Sequence, residues 1–417
     1  LTLPAPNYDE SLAGPISLPD ALTNQDGSRV AKAEDWIKHR RTEVLDLFEN
    51  EVYGHCLQPV VRTEVIELNC QRSVLDGLAT RKQIRIQLSA DDSAYSTNLD
   101  LLLYLPDHSD KPTPLFLGYN FSGNHTVHPD RGIELNRNWV RNSRELGITD
   151  NVAREENRGA LRRRWPVERI LSRGYGLATI YYGDVDPDFD DGYQNGVHPL
   201  FHHPDQVYPG PQDPGSIGAW AWGLSRILDH IETEEHVDGD RVCVMGHSRL
   251  GKTALWAGAT DTRFAMAISN ESGCGGAALS RRHFGETVEA INTRFPHWFC
   301  DNFRKYNARE DTLPVDQHML IALIAPRPVY IASAADDLWS DPRGEYLGAL
   351  HASPVYELLG TDGLVESWEQ DDPAREDRPV IGTPRISRIR HHLRPGGHDV
   401  TDYDWERFLD FADIHLT

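Results

Sequence analysis

The chain has no run of the roughly eighteen apolar residues that a bilayer-spanning helix needs, and this argues against a membrane span. It also lacks internal repeats, a low-complexity linker and any Cys-x-x-Cys pair. Its five cysteines, Cys56, Cys70, Cys243, Cys274 and Cys300, are too few and too scattered for a disulfide framework. Their odd number leaves at least one unpaired, and Cys243, inside an apolar run, reads as a buried structural thiol. No His-Glu-x-x-His spacing occurs, so His202-His203-Pro204-Asp205 reads as a loop rather than the ligand set of a metallohydrolase. Positive charge is short as well: 42 Lys and Arg face 64 Asp and Glu, a formal charge of -22 that repels nucleic-acid phosphates and anionic membrane surfaces. No nucleic-acid partner is expected. The chain begins at Leu1 without Met, as expected of a protein whose signal peptide has been removed.

What is present is an ordinary globular composition, 39% hydrophobic and 25% charged over 417 residues, enough to bury a large core. Trp36, Ile37, Val44, Leu47 and Phe48 recur at helical spacing and predict an amphipathic helix over residues 35–53, stopped by Gly54. Strand-like runs follow at 82–88, 101–105, 114–119 and 175–182. A helix predicted over 217–231, with Trp220, Leu224, Ile227, Leu228 and Ile231 on one face, leads into a strand at 242–245. Further strands are expected at 264–269 and 328–333 and in the stretch holding His391 and His392. Strands alternating with helices argue for a mainly parallel sheet covered on both faces, a three-layer α/β/α architecture. Residues 130–164 and 184–215 lack strand periodicity and read as insertions at the carboxyl end of that sheet, where α/β active sites lie. The whole chain, 1–417, is expected to form one catalytic domain with an N-terminal helical extension.

The chemistry concentrates in residues 241–252, RVCVMGHSRLGK, where an apolar strand runs into Gly246-His247-Ser248 and a helix follows. This is the layout of a nucleophile elbow, although Leu250 stands where the second glycine of Gly-x-Ser-x-Gly belongs and Gly251 comes one position later. A serine hydroxyl needs a base within hydrogen-bond reach and a third group to orient that base. His398, in the loop Arg394-Pro395-Gly396-Gly397-His398-Asp399, is the best base, because an α/β-hydrolase places its histidine late in the chain on such a loop. Glu271 and Asp337, each following a predicted strand, compete for the orienting role. The backbone amide of Arg249 is the first oxyanion donor by geometry and its guanidinium a second. Lys252, one helical turn beyond Ser248, is placed to donate to substrate hydroxyls. Asn120, Asn124 and Asn270 open glycosylation sequons in loops expected to face this site, where a glycan would obstruct it; this favours bacterial export over a eukaryotic secretory route.

Gly246-His247-Ser248-Arg249-Leu250-Gly251-Lys252, Asn270-Glu271-Ser272-Gly273, Phe295-Pro296-His297-Trp298-Phe299, Ala325-Pro326-Arg327-Pro328, Asp337-Leu338-Trp339 and the helix end Glu51-Val52-Tyr53-Gly54 together resemble the glucuronoyl esterases, carbohydrate esterase family 15. The resemblance spans most of the chain and accommodates the variant elbow. It implies the α/β-hydrolase fold and hydrolysis of esters joining 4-O-methyl-glucuronic acid side groups of glucuronoxylan to lignin alcohols, with no metal or organic cofactor. By the resemblance Ser248 is the nucleophile, His398 the base, Glu271 the acid and Asp337 a second acid of bacterial members, while Arg249 stabilises the oxyanion. Lys252 and Glu286 would hydrogen-bond the sugar and Trp339 pack against it, with Glu289 an alternative to Glu286. The two insertions fit bacterial members, and the scattered cysteines depart from the disulfide-reliant fungal ones. A secreted or periplasmic bacterial monomer is therefore expected.

Two other functions fit the same residues in part. An acetyl xylan esterase on this fold would share the triad and differ at Lys252, Glu286 and Trp339. A non-catalytic carbohydrate-binding homologue would require a lost triad member, and each has a candidate here. The charge adds one expectation. The ester is neutral at its carboxyl, whereas the product is an anion that an acidic protein helps expel and that Arg249 and Lys252 retain. Product inhibition should therefore change with ionic strength, and an inhibition constant that stays flat from low to high salt counts against it.

Overall fold

The computed structural model describes residues 4–57, 61–90, 95–107, 109, 111–201, 208–365 and 387–416. Nine strands form one sheet: β1 (Val61–Ser73), β2 (Ala79–Ala90), β3 (Ser96–Pro106), β4 (Thr113–Asn120), β5 (Gly176–Tyr181), β6 (Val237–His247), β7 (Met266–Asn270), β8 (Val329–Ala334) and β9 (Ile389–Arg394), in the order β1-β2-β3-β5-β4-β6-β7-β8-β9. The first three strands pair antiparallel, as do β3 and β5; every later pairing is parallel. The principal helices are α1 (Arg41–Phe48), α2 (Val167–Ser172), α3 (Ser216–Ile231), α4 (Arg249–Thr260), α5 (Val288–Arg294), α6 (Gln317–Ala322), α7 (Pro342–Leu358) and α8 (Asp402–His415).

The sheet is buried on both faces, which is why its central strands read as continuous apolar runs. Leu115, Leu117, Ala178, Ile180 and Val244 join the core under α1, α3, α4, α6 and α7, while Phe116, Leu177, Cys243 and Met245 join the core under α2 and α8. This is the expected three-layer α/β/α arrangement. β1 carries no such signal because residues 62–73 are exposed, so the strand is held by its ladder to β2 and not by burial. All five cysteines are free thiols.

The N-terminal helix differs in an instructive way from the one predicted. Its buried residues Trp36, Arg40, Val44, Phe48 and Val52 repeat every four positions, whereas Ile37 is 61% exposed. In an α-helix a four-residue repeat drifts about 40° per turn. Here the α turns are interrupted by π turns at Trp36–Arg40 and Glu49–Tyr53, whose greater number of residues per turn offsets the drift and keeps the stripe on the core. The helix ends on Tyr53, stacked on Trp256 of α4 at 4.4 Å with its hydroxyl donating to the Gly275 carbonyl at 2.9 Å. Gly54 follows with φ +86, where a Cβ would collide with the backbone of Pro214. The extension thus buttresses the helix that follows Ser248. Tyr53→Ala should cost about 3–5 kcal/mol of stability, measurable as a lowered urea midpoint; an unchanged midpoint would mean that the extension packs without contributing to the fold.

Candidate active site

β6, β7, β8 and β9 are consecutive neighbours, all parallel, so their carboxyl ends open on one rim. Ser248 follows β6, Glu271 follows β7, Asp337 follows β8 and His398 follows β9. Adjacent parallel strands thereby bring together residues up to 150 positions apart, as the numbers Ser248 and His398 show. Ser248 lies between β6 and α4 with φ +59 and ψ -128, backbone angles rarely taken by non-glycine residues and typical of strained functional turns. A Cβ on Gly246 would run into the carbonyl of Leu250, so the chain can cross itself only with glycine there. Leu250 turns into the core at 1% exposure. Gly251 faces the neighbouring turn, where its own Cβ would lie 3.0 Å from Cβ of Ser272. The close approach falls one residue later than in Gly-x-Ser-x-Gly, which explains the shifted glycine.

The imidazole of His398 is half-exposed, and both candidate acids reach its Nδ1: Asp337 Oδ2 at 2.6 Å and Glu271 Oε2 at 3.2 Å. Among the described residues no hydrogen bond joins the Ser248 hydroxyl to the His398 ring. Burial works to depress His398, but Asp337 and Glu271 prevail and raise its pKa to about 9. Burial likewise pulls Asp337 upward, yet its bonds from His398 and Ser340 hold it below the usual carboxylate range. At Glu271 burial wins and pushes the pKa to about 7, against His398 and Arg394. Asp337 thus carries the firmer negative charge, while Glu271 has a second occupation: it accepts from the Arg394 guanidinium and from the Asp399 amide at 2.9 Å, fastening the His398 loop from both sides. Arg394 in turn pairs with Asp404 of α8 at 2.9 Å. Arg163 and Arg164, at the end of the first insertion, pair with the Asp399 carboxylate.

Arg249 opens α4. Its guanidinium pairs with Asp188, stands 4.7 Å over the Trp298 ring and lies 5.7 Å from both Phe121 and Phe295. Its Nε has no hydrogen-bond partner among the described residues. Asp188 lies in the second insertion, inside the acidic stretch Asp184-Val185-Asp186-Pro187-Asp188-Phe189-Asp190-Asp191, and sequence reasoning missed it because nothing in the run distinguishes the acid that meets Arg249 from the others, of which Asp184 and Asp186 are buried too. The His297-Trp298 pair, part of the motif quoted for the family, supplies two of its donors, at 3.0 and 2.8 Å.

Lys252 is buried at 3% exposure, donates to the Ser272 carbonyl and lies 3.8 Å from Glu286. Burial shifts both toward their neutral forms, Lys252 downward and Glu286 upward. Of the two glutamates weighed from the sequence, Glu286 is the one beside Lys252, while Glu289 lies in the first turn of α5. The Glu286 amide donates to the Trp339 carbonyl at 2.9 Å, and Arg294 stands 4.4 Å over the half-buried Trp339 ring. His247 is a second residue the sequence did not single out; its buried ring packs 4.4 Å from His398 and accepts from Asn270 Nδ2 at 2.8 Å. His247, Glu271 and His398 bring potential metal ligands within 4.8 Å of one another, but the carboxylate oxygens are engaged by Arg394, Asp399 and His398, and His398 Nδ1 by the acids. The donor set therefore suits proton handling rather than metal binding. The stretch 202–205 lies outside the described residues. Asn120 and Asn270 are fully buried and Asn124 spends its amide on Asn120 and the Asp100 carbonyl, so none of the three is available to a glycan in the folded chain.

The sheet order, the strained serine and the histidine after the last strand define an α/β-hydrolase. A family model described as "Glucuronyl esterase, fungi" matches residues 176–360. The carbohydrate esterase MZ0003 of an unknown prokaryotic organism is 50% identical over 413 residues, covering 99% of this chain and 92% of that one. The solved structure of a promiscuous CE15 esterase from a marine bacterial metagenome superposes with a TM-score of 0.90 at 48% identity, over 99% of this chain and 100% of the other. A glucuronoyl esterase from Solibacter usitatus gives 0.87 at 45% identity, over 97% and 99%. The chain belongs to carbohydrate esterase family 15, the glucuronoyl esterases, and is a carboxylic ester hydrolase.

The two acids differ in their hold on His398, and the difference is measurable. An anionic neighbour favours the imidazolium, so removing it lowers the pKa of the ring. Asp337→Asn should move the His398 titration, followed by NMR of the ring nitrogens, to lower pH, and Glu271→Gln should move it less. An unchanged titration in Asp337→Asn would refute the assigned coupling.

Proposed function

We propose that this enzyme hydrolyses esters between 4-O-methyl-glucuronic acid side groups of glucuronoxylan and lignin alcohols, through an acyl-enzyme on Ser248. The observation that carries the reading is the doubly held His398, which shares the rim of strand ends with a strained serine that Arg249 follows directly. In this mechanism His398 takes the hydroxyl proton as Ser248 Oγ attacks the ester carbon. The oxyanion is met by Arg249, through its amide in the first turn of α4, where amides lack intrahelical partners, and through its guanidinium. Collapse expels the alcohol, which takes the proton from His398. A water activated by the same imidazole then releases the free uronate and restores Ser248. Asp337 orients His398 and stabilises the imidazolium, and Glu271 chiefly holds the loop. Lys252 and Glu286 contact the sugar hydroxyls, and Trp339 packs against the ring. The site is assigned to one catalytic domain spanning 1–417, acting as a secreted or periplasmic bacterial monomer.

A broader acyl range is the second reading, favoured by the description of the 48% identical relative as promiscuous. It keeps the triad and relaxes the sugar contacts. Hydrolysis of benzyl glucuronate and of acetylated xylan by the wild type and by Ser248→Ala, Asp337→Ala and Glu271→Ala separates the two. We expect turnover of the glucuronate ester, its loss by about 10⁶-fold in Ser248→Ala, a larger kcat loss in Asp337→Ala than in Glu271→Ala, and a lower unfolding temperature in Glu271→Ala. Wild type inactive on the glucuronate but active on acetyl esters would overturn the substrate while keeping the triad.

A further inference from the structure

An oxyanion donor is effective only if it is in place before charge develops, and an arginine side chain has considerable rotamer freedom to lose. What removes that freedom from Arg249 is Asp188. This carboxylate is fully buried, which is unfavourable unless every lone pair is met. Oδ1 accepts from His297 Nε2 at 3.0 Å and from Trp298 Nε1 at 2.8 Å. Oδ2 accepts from the Tyr182 hydroxyl at 2.9 Å and from Arg249 Nη1, and it pairs with Arg141 Nη2 at 3.0 Å, which donates to the Asp188 backbone carbonyl at 2.7 Å. Burial would raise its pKa, but Arg249, His297, Arg141 and Trp298 hold it well below the carboxylate range, so it stays charged. The donors come from separate segments of chain, so the carboxylate cannot turn without breaking several bonds. Trp298 closes the guanidinium face and is itself stacked on Phe295 at 3.8 Å and 2°.

We propose that Asp188 is the positioning residue of the oxyanion arginine: it fixes the guanidinium by Nη1 and leaves the accessible edge of the side chain, which is 20% exposed, for the developing oxyanion. The proposal rests on the reading of Arg249 as an oxyanion donor. Asp188 touches no reacting atom in it and acts only through Arg249. A carboxylate that merely neutralised a buried cation would support the fold without a selective effect on turnover.

A double-mutant cycle on the ester separates these roles. Asp188→Asn should lower kcat by about 10²-fold while KM stays within about twofold, and in an Arg249→Gln background it should cost kcat nothing further. An equal loss in both backgrounds, or no loss in the first, overturns the positioning role. Should Arg249→Gln itself leave kcat unchanged, the oxyanion reading falls and takes the proposal with it. Should Asp188→Asn fail to fold, Tyr182→Phe carries the test. It removes one donor from the same oxygen without changing charge, and should lower kcat severalfold at constant KM in the wild-type background alone. An unaltered kcat in Tyr182→Phe overturns the proposal.

Discussion

A charge that leaves water must take its partner with it, and at the carboxyl edge of this sheet that requirement ties the chain together. Arg249 is paired with Asp188, Lys252 with Glu286, Arg394 with Glu271 and Asp404, and Arg282 with Asp341. In each case the partners come from different segments. The ester chemistry proposed here needs cations beside a developing anion and carboxylates beside an imidazole, in a place poor in water. The sheet gathers the strand ends, but the pairings between loops decide the position of each charged atom. Energetically these pairs need not favour folding over an apolar replacement. Their value lies in geometry, because breaking any one of them leaves an uncompensated buried charge.

The same requirement accounts for the two insertions. Residues 130–164 end in Arg163 and Arg164, which grip Asp399 next to His398, and residues 184–215 deliver Asp188 to Arg249. Neither insertion is only decoration on the rim. One steadies the loop of the base and the other the residue after the serine, so a change in either should reach the chemistry without touching substrate.

Legibility in the sequence followed burial and local constraint. β4, β5, β7 and β8 could be read because strands buried on both faces are largely apolar, whereas β9 carries Arg390, His391, His392 and Arg394, and β1 could not be read because its side chains face water. Ser248 was legible through the glycine that its turn requires, although the displaced second glycine became intelligible only when Gly251 was seen to face Ser272. His398 stood out by its late, glycine-flanked loop. Asp188 and Arg394 did not, since their importance lies in partners 61 and 123 positions away, Arg249 and Glu271. A residue whose role is to complete a buried charge is visible only once the fold has supplied the charge.

The two acids illustrate the point further. From the sequence Glu271 and Asp337 were alternatives for one task. In the structure they share the His398 Nδ1 but differ in everything else that they touch. Asp337 bonds His398 more closely, and its charge is the more secure. Glu271 divides its oxygens among Arg394, the Asp399 amide and His398, so its first effect is to fix where the loop runs. A carboxylate already bonded to a guanidinium has less of its charge to lend to an imidazole, whereas Asp337, with no arginine partner among the described residues, shares its charge between His398 and Ser340 only. The arrangement therefore separates holding the base in place from tuning its affinity for the proton, and a variant at one position need not reproduce a variant at the other.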